Sequence, residues 1–243
     1  MIIGLTSAKI KDYDMSHNLE QMEHYIIEGS KEGIDLLCFG ESFVHGFDGL
    51  TWDYNEDLKR ALKQNDEKII YLQSLAKKYH IGISFGYIEK DNNIIYSSNL
   101  VIDDTGNIID NFKRVSIGWK EPIAPNEYYK EGEGFHTFSY KEKMFTTAIC
   151  GDLWHDTFLQ EAIKQPADCL LWPLYVDFAV EDWNSKLLSE YEERVANFKI
   201  PVLMINSYSD KINHAKGGCY VFHNGSTVKH LPMGEVGILK FTL

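Results

Sequence analysis

The stretch TTAICGDLWHD (146–156) is an apolar, strand-like run that ends on Cys150 and passes directly into Gly151 and Asp152. A free thiol has a pKa of about 8.5, so only a few per cent is thiolate at neutral pH. A nucleophilic cysteine therefore needs a base or a positive field beside it. Two other stretches place such groups after strand-like runs. CFGESF puts Glu41 directly after the apolar run 34–40, and KRVSIGWKEP supplies Lys113, Arg114 and Lys120. PNEYYKEGEG adds Glu127. A carboxylate can take the thiol proton. A lysine or arginine can stabilise the oxyanion formed when the thiol attacks a carbonyl. Gly151, after the nucleophile, leaves its N–H open to the same oxyanion. Glutamate, cation and cysteine together are sufficient for acyl transfer.

Taken singly, these residues are ordinary: a buried core thiol, a solvated loop acid, a surface lysine. Rival chemistries fit less well. Cys150 and His155 are the only soft ligands nearby, whereas a structural zinc site wants four. A phosphatase Cys-x5-Arg loop fails because position 156 is Asp.

The elements that must position these groups alternate between strand and helix. Residues 2–8 read as a strand, and 16–32 as a helix with Ser16 as N-cap. The run 34–40 is a strand covered on both faces, and 56–79 is a helical region. Residues 81–89 and 94–103 form a hairpin, and the DDTG turn leads into a further strand. The second half repeats the order: strand 143–150, helix 157–165, strand 168–176 and helix 183–199. PVLMINSYSD, GGCYVFHNGS and TVKHLPM then read as strand, strand and turn, and ILKFTL as the last strand. GIDLLCFGESF and PADCLLWPLYV are related, as are IGISFGYIEKDNN and PVLMINSYSDKIN. The pattern predicts one domain over 1–243, built of two β-α-β-α-β-β halves packed sheet against sheet with helices outside. Ligands should gather where strand ends of both halves converge.

Composition narrows the function classes. A net charge of −12 disfavours nucleic-acid binding. No apolar run approaches the ~20 residues of a membrane span, and no export signal is evident at the N-terminus. A cytoplasmic location is expected. Cys38, Cys150, Cys169 and Cys219 lie far apart with no CxxC pair, which argues against a disulfide framework. Cys38 and Cys169 read as buried small hydrophobes.

The chain resembles the nitrilase superfamily of carbon–nitrogen hydrolases over essentially its full length. DLLCFGESF looks like the family's strand-then-glutamate motif, and AICGDLW like its Cys-x-Asp nucleophile motif. ADCLLWP, ERVANFKIP and GGCYVFHNGS match the remaining landmarks in order. The resemblance implies an α/β fold, a four-layer α-β-β-α sandwich that commonly forms homodimers. It also implies a Glu-Lys-Cys triad acting without cofactor or metal on a small-molecule amide. On the matching positions Glu41 is the base and Cys150 the nucleophile. Glu127 matches a second glutamate that positions substrate, and Gly151, Trp154 and Tyr175 fall where substrate is bound.

Several positions depart from the family. A gap-free alignment from Asn99 puts Arg114 on the lysine. A one-residue slip gives Lys113, which points to the face opposite Phe112. Lys120, on a long flexible stem, is the expected triad amine, with Arg114 as a second cation. Gly40 stands for the usual proline, and Gly151 for an aromatic, which ranks nitrile hydrolysis lowest. Trp154 stands where members acting on dicarboxylate amides have arginine. Asp177, Glu181 and Asp182 suit a neutral or amine-bearing amide. The expected function is hydrolysis of a small linear amide or carbamoyl compound. The arginine at the lysine position leaves open a catalytically impaired scaffold.

Overall fold

A computed structural model describes residues 1–243. The first half contains β1 (Ile2–Ser7), α1 (Met15–Lys31), β2 (Leu36–Cys38), α2 (Tyr54–Arg60), α3 (Glu67–Tyr79), β3 (Gly82–Asp91), β4 (Ile94–Ile102) and β5 (Ile108–Lys113). The second contains β6 (Thr137–Tyr140), β7 (Lys143–Thr147), α4 (Asp156–Ile163), β8 (Cys169–Leu174), α5 (Val180–Asp182), α6 (Leu188–Val195), β9 (Val202–Asn206), β10 (Cys219–His223), β11 (Ser226–Leu231) and β12 (Gly237–Thr242). They form two six-stranded sheets, β12-β1-β2-β3-β4-β5 and β11-β10-β9-β8-β7-β6. In each, three central strands are parallel: β1, β2 and β3 in one, β7, β8 and β9 in the other.

Alternation along the strands assigns each apolar side chain to a layer. Leu36 and Cys38 of β2 face Leu171 of β8 and Leu203 and Ile205 of β9 in one buried inter-sheet cluster. Leu37 and Phe39 turn the other way, onto Met22 and Ile26 of α1 and Leu72 and Leu75 of α3. Leu170 and Trp172 of β8 likewise pack against Leu159 of α4 and Tyr191 of α6. The result is the four-layer α-β-β-α sandwich, with two similar halves. Backbone bonds also join the halves directly, Ile10 N–H to the Tyr208 carbonyl (2.9 Å) and Tyr208 N–H to that of Ala8 (2.9 Å).

The local differences from the sequence reading have identifiable causes. α1 is capped by Asp14, not Ser16; the Asp14 carboxylate accepts the His17 N–H at 3.0 Å. The helical region 56–79 is two helices. Ala61 leaves helical geometry, and Leu62 bonds to the edge of β3 through Ile88 and Lys90 before Asp66 caps α3. TVKHL is the strand β11, not a turn, and β6 was not anticipated. The helix expected over 183–199 contains a π-helical turn at Trp183–Leu187 and ends at Val195. β12, at the chain's end, pairs antiparallel with β1, as β6 pairs with β7. Each parallel trio thus gains the same flanking strand.

Cys38, Cys169 and Cys219 are all buried in the inter-sheet layer, and burial pushes each thiol above its ordinary range. Cys150 alone is partly exposed, so iodoacetamide should modify only Cys150 in the native protein, as read by peptide mass mapping. Labelling of any other cysteine before denaturation would contradict this packing.

Candidate active site

Four strand ends converge on one buried cluster. Glu41 follows β2, Arg114 follows β5, Cys150 follows β7 and Tyr175 follows β8. The Arg114 Nη1 donates to Glu41 Oε1 at 2.8 Å, and the two side chains are 6% and 2% exposed. Arg114 Nε donates to Ser116 Oγ at 3.0 Å. The third arm, Nη2, lies over the nucleophile turn: a Cβ on Gly151 would sit 2.3 Å from it. Gly151 is therefore required for the guanidinium to reach this position. Gly86 of β3 plays a similar part beneath Glu41, because a Cβ there would lie 2.7 Å from the Glu41 Cα and 2.3 Å from the Ser42 nitrogen.

The turn at Cys150 is held in a special conformation. Cys150 has φ = +43°, a left-handed value uncommon for a residue with a Cβ. It opens a 3-10 turn, Cys150–Trp154. The Trp172 indole donates to the Cys150 carbonyl at 3.0 Å. The Asp152 carboxylate fastens this turn to the end of β5, accepting the N–H groups of Ile149 (2.8 Å), Val115 (3.1 Å) and Ser116 (2.8 Å). One aspartate therefore fixes Cys150 relative to Arg114.

Electrostatics follow from burial and neighbours. Burial, and then the Glu41 charge, push the Cys150 thiol up to about 12; Arg114 and the Tyr175 backbone N–H pull the other way. Burial opposes the charge on Arg114, but its carboxylate neighbours, Glu41 first, outweigh it and hold the guanidinium firmly protonated. Burial lifts the Asp152 carboxyl above its ordinary value, against the pull of Arg114 and the amide N–H groups. The resting site is thus a buried Glu41–Arg114 salt bridge beside a neutral thiol.

The other candidates lie elsewhere. Lys120 does not join Glu41: its ammonium donates to the Tyr129 carbonyl at 2.6 Å and pairs with Glu131 at 2.9 Å. The cation beside Glu41 is Arg114, the gap-free alignment position. Lys113 points to the opposite face, onto Asp91 at 2.8 Å. Glu127 is exposed and lies outside the cluster. Trp154 packs edge-on against Tyr191 and lies beneath Arg194, in a surface groove with α4 and α6 residues. His155 packs on Phe158. The Tyr175 ring stacks on Phe47 at 4.2 Å, and its hydroxyl accepts the Ala215 N–H, so only its backbone faces Cys150. Asp177, Glu181 and Asp182 are exposed. Asp12, Asp48 and His214 gather their ligand atoms within 4.8 Å, but Lys211 already neutralises Asp12 at 2.6 Å. Ser116 and the bracketing role of Asp152 were missed. Asp152 stood in the quoted Cys-x-Asp motif, whereas nothing about Ser116 in sequence announced its role.

The family model for carbon-nitrogen hydrolases matches residues 2–239. The chain belongs to that family. It is 26% identical over 212 residues to a citrullinase of Francisella tularensis subsp. tularensis (strain SCHU S4 / Schu 4), covering 82% of this chain and 71% of that protein. It is 26% identical over 172 residues to the N-carbamoylputrescine amidase of Oryza sativa subsp. japonica, covering 70% and 56% respectively. A cysteine-to-alanine mutant of the Nesterenkonia AN1 amidase from the nitrilase superfamily superposes with a TM-score of 0.80 at 18% identity, covering all of this chain and 90% of that one. A second structure of that amidase carries acrylamide added at its active-site cysteine (TM-score 0.77, 17% identity, 100% and 93% covered). No helix of this chain is long and apolar enough to cross a membrane.

The charges give a signed expectation for Glu41→Gln. The carboxylate raises the thiol pKa and Arg114 lowers it, so removing the carboxylate must lower it. Alkylation of Cys150 at pH 8 should quicken several-fold in this variant, measured by intact mass against time. Slower or unchanged alkylation would show that Glu41 does not set the state of the thiol.

Proposed function

We propose that this protein is a cofactor-independent thiol hydrolase. It cleaves the C–N bond of a small linear amide or carbamoyl compound through an acyl-enzyme on Cys150. The observation that carries this reading is the buried Glu41–Arg114 pair set against a cysteine in a positive-φ turn. The amidase and carbamoyl-amidase relatives support the reaction class.

In the proposed sequence, Glu41 takes the thiol proton as Sγ attacks the carbonyl carbon. The oxyanion forms beside the Gly151 N–H and Arg114 Nη2. Collapse expels the nitrogen with the proton returned by Glu41, releasing ammonia or an amine and leaving a thioester. Glu41 then deprotonates a water that attacks the thioester. The acid product leaves and the thiol is restored. Arg114 stabilises charge throughout but relays no proton, because a guanidinium does not deprotonate in a protein.

Wild-type protein mixed with small amides should show an acyl mass adduct and release ammonia; Cys150→Ala should do neither. Full activity of Cys150→Ala would sink the proposal. Arg114→Met should lower turnover at least tenfold more than Lys120→Ala. The reverse order would return the cation's role to Lys120.

A second reading has its own observation. Arginine stands where the resemblance places lysine, and the resting thiol is pushed up to about 12, as suits a catalytically impaired scaffold. Absence of ammonia release and of any adduct across a panel of linear amides and carbamoyl compounds would favour it.

A further inference from the structure

We propose that the substrate carries a cationic far end, and that its ammonium is held in a cavity walled by Phe47, Asp48, Trp52, Trp119, Lys120 and Glu121. This rests on the thiol-hydrolase reading and names the substrate class for the same site.

The cavity is placed by the catalytic residues themselves. One loop leaves Glu41 and carries Phe47, Asp48 and Trp52. Another leaves Arg114 and carries Trp119 and Glu121. The two loops form walls of a cavity of about 430 Å³. One residue lies between it and Cys150: the Tyr175 backbone sits beside the thiol, and the Tyr175 ring stacks on Phe47 at 4.2 Å, with planes 4° apart. A linear substrate with its amide at Cys150 has this cavity as a receptacle for its other end.

The chemistry of the walls selects a cation. Aromatic faces attract ammonium groups through their quadrupoles, and Trp52 and Trp119 stand 6.3 Å apart, inclined at 56°. Asp48 and Glu121 add two carboxylates. The basic groups in and around the walls are already engaged: Lys120, itself a lining residue, directs its ammonium to Glu131 and the Tyr129 carbonyl, and Arg60 lies over the ring of Tyr13, another lining residue. Lys211 is held by Asp12 at 2.6 Å. His214 meets Asp48 at 3.3 Å, the one group competing for that carboxylate. A carboxylate-ended substrate would meet like charge here, while an ammonium would meet aromatic faces and acids.

The test compares kcat/KM for three amides of similar length, ω-aminovaleramide, valeramide and glutaramate, by ammonia release at pH 8. The cationic amide should exceed the neutral one by about tenfold, with glutaramate poorest. In Asp48→Asn/Glu121→Gln the cation-to-neutral ratio should fall toward one. Turnover of all three amides without preference, or preference for glutaramate, would overturn the assignment while leaving the hydrolase reading intact. Cys150→Ala, titrated calorimetrically with ω-aminovaleramide and valeramide, separates the two claims. Tighter binding of the cation without turnover by wild type would retain the recognition site and reject the hydrolase. Equal affinity for the two amides would reject the recognition site.

Discussion

The site depends on keeping an ion pair out of water. Glu41 and Arg114 are nearly fully buried and 2.8 Å apart. Burying two charges costs several kcal/mol per ion, and their attraction offsets that only when further hydrogen bonds complete the geometry. The surrounding structure supplies one such bond and the room the pair needs. Ser116 takes one arm of the guanidinium, Gly86 makes room beneath Glu41, and Gly151 makes room for the remaining arm. Asp152 then ties the nucleophile turn to the strand that delivers Arg114. Removing one ion would strand the other, a loss of about 3–5 kcal/mol in comparable buried pairs.

This arrangement determines the state in which the thiol waits. Glu41 and burial both hold it neutral, and Arg114 offsets only part of their effect. In the mechanism we propose, the nucleophile is therefore generated as it attacks, with Glu41 taking the proton in the same event. A fixed guanidinium suits that division of labour. It supplies positive charge at constant protonation, and leaves every proton transfer to the carboxylate.

Much of this was legible in sequence because strand burial leaves a strong periodic signature. The runs at 34–40 and 168–176 announced central parallel strands, and the paired halves announced two packed sheets. Glu41 and Cys150 were legible because each directly follows such a run. The cation was harder to assign. Gap-free spacing pointed to Arg114, while the reach of a flexible lysine pointed to Lys120. The choice turned on Glu131, a partner eleven residues further on that captures Lys120 through loop folding no periodicity encodes. Glu127 failed for the same reason, since its irregular loop turns it to solvent. The break at 61–66 escaped because Leu62 leaves the helix to bond with β3, a tertiary contact outweighing helical propensity.

The central claim is that a guanidinium which cannot titrate, and not a lysine, serves Glu41 and Cys150. The pH profile of kcat/KM for an amide that the protein hydrolyses tests it most directly. With Arg114 as the cation, activity should hold level through the lysine range to about pH 10. A bell-shaped profile that falls in the lysine range below pH 10, and loses that limb in Lys120→Arg, would contradict it.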